Sequence, residues 1–293
     1  MRTQDQRLSR GRSPYRVRYT PESQIRRPGR LLATMVRDLL ASRELAWRLM
    51  VRDISAQYRQ SLLGLTWAFV PPILTALGLV FARKTGVVNI GETDLPYPAY
   101  VMFSMALWQT YVESLNGPIL AVNAAKPMLV KINFPSEAII LAKLGEVFFN
   151  FGIKLILIVG LFLWFKMPIT PSAVLAPVAL VHLILLGTGI GLLLAPLGAL
   201  YRDISKVLMM IVAPWLLITP VIYEVPQSGM FGAIVRLNPV TPLLVTTREL
   251  ATTGVLTQPA EFWGASGLAL GILLLSWILY RLAMPFVIER MSS

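Results

Sequence analysis

Six stretches of this chain, residues 62–82, 96–121, 136–165, 173–199, 206–222 and 260–283, are apolar over lengths that suit a bilayer core. At about 1.5 Å per helical residue, roughly 20 residues cross ~30 Å of hydrocarbon; only the fifth stretch is near the lower limit. Inside hydrocarbon the backbone must satisfy its own N–H and C=O groups, so such runs cross as helices. The expected fold is therefore an all-α membrane protein with six transmembrane helices. Composition agrees: 14% of the 293 residues are charged, against about 25% in soluble domains. Prolines and glycines within the runs (Pro71, Pro72, Gly152, Gly160, Pro177, Gly187, Gly189, Gly191, Pro196, Pro214, Pro220) bend such helices or let them pack closely without ending them.

The chain changes solvent between Arg52 and Pro72, RDISAQYRQSLLGLTWAFVPP, whose first half is polar and cationic and whose second half is apolar. The net charge of +12 is concentrated before that point: residues 1–61 hold 14 arginines against five acids. This fits a cytoplasmic flank and anionic headgroups, and no nucleic-acid partner is expected. Residues 1–30 are read as a basic tail with no fixed fold and, lacking an apolar core, as no cleavable signal. Residues 31–60 repeat apolar positions every three or four residues between arginines, the pattern of an amphipathic interface helix. Residues 61–283 then form the six-span domain and 284–293 a short tail. Basic residues favour the side that carries both termini, which are expected to be cytoplasmic. Between spans five and six, residues 223–259 are too broken and too charged to cross, and read as short helices at the outer surface.

Much chemistry is missing. Cysteine is absent and His182 is the single histidine, so thiolate, disulfide and multi-histidine metal sites are excluded. No Gly-Lys pair occurs, hence no GxxxxGK[ST] phosphate loop. Lys143 and Glu146 have the i,i+3 spacing of a helical ion pair. Glu113 and Glu146 lie deep in their spans, where an ionisable group needs a partner or water, and Lys154 lies on the same span as Glu146. Five aromatics, Trp67, Trp108, Tyr111, Trp215 and Tyr223, are either packing and interface anchors or rings on which sugar C–H faces could slide.

Three ordered motifs carry a family resemblance. The first holds Arg52, Asp53, Tyr58, Arg59, Gln60, Ser61, Leu63, Gly64, Trp67 and Pro72; the second is LYRDISKVL at 200–208; the third is TPVIYEVP followed by LNPVTPLLVTTRE, from Thr219 to Arg248. Together, over about residues 31–283, they resemble the type-2 ABC transporter permeases that export O-antigen, capsular polysaccharide or polyol phosphates. The resemblance implies a homodimeric transport subunit, not an enzyme, in a bacterial inner membrane. It implies two copies of a separate ABC ATPase carrying ATP and Mg, no cofactor in this chain, and a lipid-linked polysaccharide as cargo. It further implies a coupling helix at about 124–135, with Lys126, Met128, Lys131 and Phe134 meeting the ATPase, a second contact at Tyr201, Arg202 and Asp203, and an outer gate at 223–259. Arg52 and Arg59 are candidates for guiding a lipid head, by charge-assisted bonds. A teichoic acid exporter is the near alternative. An ion-coupled transporter is a distant one, since no internal repeat is evident.

Overall fold

The computed structural model describes residues 28–59, 64–86, 93–132, 134–168, 170–226 and 228–292. Their regular secondary structure is entirely helical, with no strand among them. The α-helices are α1 (Pro28–Ala41), α2 (Arg43–Arg59), α3 (Val70–Lys84), α4 (Tyr97–Lys131), α5 (Glu137–Trp164), α6 (Ala176–Leu200), α7 (Asp203–Leu217), α8 (Gly229–Leu237), α9 (Val240–Ala251) and α10 (Pro259–Ser292). Short 3-10 segments, Gly64–Ala68 and Pro171–Leu175, precede α3 and α6. The chain divides into two compact units, 1–37 and 38–293. Of the first, the described part is the opening turns of α1; the expected tail at 1–30 falls almost wholly outside the described residues, as do Gln60, Ser61 and Leu63 of the first motif.

In the second unit α6 is wedged between α4 and α10, and glycine is what allows it. A Cβ on Gly187 would collide with the Ser114 hydroxyl, and one on Gly191 with the Leu115 carbonyl oxygen, both on α4. Gly189 points the other way, where a Cβ would come within 3.0 Å of the Leu273 backbone nitrogen on α10. Small residues four apart let helix backbones approach in membranes, where lipid gives no hydrophobic drive to association. Around this contact Leu115, Ile119, Leu183, Ile184 and Leu186 are fully buried.

Among the described residues, three segments are long and apolar enough to cross a bilayer by themselves: Glu137–Trp164, Pro171–Leu200 and Pro259–Met291. The pair α8 and α9, bent by 85° about Pro239, makes a fourth if taken as one span. The protein is therefore multi-pass, with three or four spans among the described residues that meet these criteria by themselves, where six are expected. The difference has local causes. Pro71 and Pro72 occupy the first turn of α3, where a missing N–H costs nothing. That helix consequently has 15 residues, as does α7, about 22 Å each. Helix α4 is long enough at 35 residues but carries Gln109, Glu113 and Asn116. At the other end, residues 284–292 are no separate tail: they continue α10 past Pro285, with Met284 and Val287 buried.

Candidate functional site

The expected interface helix is two helices, broken at Ser42, whose hydroxyl bonds back to the Asp38 carbonyl at 2.6 Å. The second, α2, packs along α5. Met50 sits where Gly145 has no side chain, and two turns on Tyr58 donates to Asn150 Oδ1 at 3.0 Å with its ring against Phe149. Burial, with the Glu113 and Glu146 carboxylates nearby, pushes the Tyr58 phenol above its ordinary value and keeps it a neutral donor.

Between α2, α4 and α5 lies a cleft of about 360 Å³, lined by Arg52, Asp53 and Gln57, by Leu120, Ala124 and Met128, and by Lys143 and Glu146. Its charges are paired within each helix: Arg52 with Asp53 at 2.8 Å and Lys143 with Glu146 at 2.7 Å. The first pair is largely exposed and so contributes little stability, about 0–1 kcal/mol. Arg52 also flanks a second, open hollow with Ser55, Ala56 and Arg59. Arg59 is exposed there and makes no ion pair among the described residues. The two arginines singled out in the sequence thus share one region.

Deeper in, α4 and α5 hold a polar chain that in-helix spacing could not reveal. Lys154 Nζ donates to Glu113 Oε1 at 2.6 Å and to Thr110 at 3.3 Å, and Asn150 reaches Glu113 Oε2 at 3.4 Å. The lysine is buried and the carboxylate a third exposed, at 34%. A comparable clamp ties chain ends together: Arg281 on α10 bonds Asp38 at 2.5 Å and Glu137, the first residue of α5, at 2.9 Å.

The five aromatics do not form one surface. Trp108, Tyr111 and Trp215 pack ring against ring in sequence, the first pair tilted and the second edge-to-face, with centroids 5.5 and 5.6 Å apart, but Trp108 and Tyr111 are buried in the core. Trp215 is half-buried and donates to Asn238 at 3.1 Å. Tyr223 lies against Phe231, and its hydroxyl donates to the Leu217 carbonyl. Trp67 is exposed on the 3-10 turn, away from those rings.

The segment expected as a coupling helix is not a helix of its own. Residues 124–131 are the last turns of α4, which runs on through Pro127, and Ile132 is extended. Lys131 is exposed, Lys126 and Met128 are partly so, and Phe134 turns back against the core. Tyr201, Arg202 and Asp203 are all exposed, at the start of α7.

The third motif closes on itself in space. Arg248 is buried, lies over the Tyr100 ring at 4.0 Å, and donates to Ser104 at 2.9 Å and the Pro220 carbonyl at 3.2 Å. Tyr100 donates to the Tyr223 carbonyl at 2.6 Å, and Asn238 to Thr219 at 2.9 Å. These residues brace the 218–224 turn against α4 and α9. No group of three or more potential metal ligands occurs among the described residues.

Fold and surfaces together define a multi-pass helical membrane protein with a charged cleft at one end of its α4–α5 hairpin and a braced turn at the other. Residues 44–250 match the ABC-2 type transporter family, well over half of the chain, and the chain belongs to that family. It is 24% identical to "O-antigen export system permease protein RfbA" of Myxococcus xanthus over 220 residues, 74% of this chain and 83% of that protein. A protein of the same name from Klebsiella pneumoniae is 21% identical over 241 residues, 79% of this chain and 91% of the relative.

Proposed function

We propose that this chain is the membrane permease of an ATP-driven exporter that moves a lipid-linked polysaccharide of O-antigen or capsule type across a bacterial inner membrane. It acts as a homodimer with two copies of an ABC ATPase, which hold the ATP and Mg. Both termini face the cytoplasm. The chain makes six passes, with α3 and α7 completed by their flanking turns, α4 as the second pass, and α8 and α9 as the outer gate. The observation that carries this reading is the likeness, along three quarters of the chain, to proteins named as O-antigen export permeases.

The geometry supports it at three places. Arg52 and Arg59 border open hollows beside the cleft, suited to the phosphate groups of a lipid head through charge-assisted bonds. Lys126, Met128 and Lys131, with the exposed Tyr201, Arg202 and Asp203, supply mixed apolar and charged contacts for an ATPase groove; Phe134 anchors that end to the core. Trp67, Trp215 and Tyr223 keep ring surface accessible to a glycan, while Trp108 and Tyr111 back them from within. The ATPase drives transport by binding two permease conformations with different affinity.

Co-purification with a nucleotide-binding partner, followed by ATP hydrolysis with and without lipid-linked glycan, tests the proposal. Glycan-stimulated hydrolysis and export by the complex are expected. Movement of ions down a gradient by the chain purified alone, without ATP, would refute it.

A further inference from the structure

Gln109, Glu113, Asn116, Leu120, Asn123 and Ala124 fall on one face of α4, within an arc of about 100° at 100° per residue. It is the face that helix leaves partly open, and the residues turned away from it are buried in the core. Its polar members are under-used by the fold. Gln109 and Asn123 make no side-chain hydrogen bond among the described residues. Asn116 reaches only the Met209 sulfur of α7, at 3.1 Å. Glu113 keeps a third of its side chain open although Lys154 neutralises it from behind. On a helix buried on its other side in a membrane bundle, open amides and a carboxylate belong against water or polar cargo, since lipid tails offer them no partner.

The stripe also leads somewhere. Leu120 and Ala124 at its lower end line the cleft that holds Arg52 and Lys143. Up the helix from there, Asn116, Glu113 and Gln109 follow at axial steps of about 4.5 and 6 Å. Each amide offers both a donor and an acceptor, and the carboxylate is an acceptor with its charge already cancelled. That set suits a neutral, hydroxyl-rich polymer, whose every hydroxyl gives and takes a hydrogen bond. It would hold an ion poorly, lacking converging charges, and a second protein copy would have to pair each amide in a dry contact.

We propose that this α4 stripe is a wall of the translocation path along which sugar hydroxyls exchange hydrogen bonds, taking the place of the buried Trp108 and Tyr111 as the surface the glycan touches. The inference rests on the permease reading.

The absence of cysteine makes a direct test available. Single cysteines are placed at Gln109→Cys and Asn123→Cys, and at Ile156→Cys as an exposed apolar control on α5, 66% open. The full chain with its ATPase partner is treated in cells with a charged, membrane-impermeant methanethiosulfonate. Because the thiolate is the reactive species and hydrocarbon suppresses it, the stripe positions are expected to react about tenfold faster than position 156, or more. The rate should fall severalfold in cells making the glycan compared with cells blocked in its synthesis. Stripe cysteines no faster than the control, rates unchanged by glycan, or disulfides linking stripe to stripe between two copies would overturn the assignment, the last by making this face a dimer contact. Export by the unmodified complex is measured in parallel: if it fails, the permease reading falls; if it proceeds while the stripe is silent, only the stripe does.

Discussion

The Glu113–Lys154 pair gives an asymmetric prediction, because its two members are not equally hidden. The Lys154 side chain is 2% exposed and the Glu113 side chain 34%. Glu113→Leu leaves an ammonium buried with only the Thr110 hydroxyl beside it, and breaking a buried pair from that side costs about 3–5 kcal/mol. Lys154→Met leaves a carboxylate that still meets Asn150 and reaches water, so the loss is about 1–3 kcal/mol. The double variant Glu113→Leu/Lys154→Met removes both charges and keeps the volume, and its expected cost is about 0–1 kcal/mol. Unfolding of the purified protein in mixed detergent micelles, followed by circular dichroism against denaturant, measures all three. The ordering is the content of the prediction. If Lys154→Met were as damaging as Glu113→Leu, or if the double variant lost the sum of the singles, the pair would not be a neutralising one and Glu113 would owe its place to something else.

Three further outcomes follow from contacts described above. Arg281→Met strips two carboxylates of their shared cation, and is expected to destabilise by about 3 kcal/mol, partly restored by adding Glu137→Gln, in the same unfolding assay. Gly191→Val should abolish folded protein by driving a side chain into the Leu115 carbonyl, whereas Gly152→Ala and Gly160→Ala, which face open space, should leave the yield of monodisperse protein unchanged. Lys131→Glu, on the exposed last turn of α4, should lower recovery of the ATPase partner in pull-downs severalfold while membrane insertion stays normal; equal recovery would remove that residue from the docking surface.

What sequence conveyed and what it did not divides along the range of the interaction. The i,i+3 pair Lys143–Glu146, local to one helix, was legible and forms at 2.7 Å; the glycines 187, 189 and 191 pack backbones as their small size allows, against helices that their residue type does not identify. Gly152 and Gly160 share that residue type and pack nothing, since a glycine's use depends on what lies opposite. Partners joined across helices, Glu113 with Lys154 and Arg281 with Asp38 and Glu137, carry no spacing signal at all. That Trp108 and Tyr111 face the core was not legible, because hydropathy marks a ring as apolar without saying which way it faces. The polar stripe did leave a trace, amides and a carboxylate four and seven residues apart within an otherwise apolar run, and that periodicity is the signal by which it could have been found.

Helix α4 runs unbroken from Tyr97 to Lys131, about 52 Å, with one end exposed and the other gripping the 218–224 turn through Tyr97 and Tyr100. It is in effect a push rod. A shift of an ångström or two imposed at Lys131 arrives at the Ile222 and Tyr223 carbonyls with no intervening loop to absorb it. Its two compliant joints are Pro118 and Pro127, which cannot donate to the Ser114 and Asn123 carbonyls one turn before them. Stiffening those joints with alanine would lengthen the rigid stroke; the stroke, more than any single contact, is what this helix contributes.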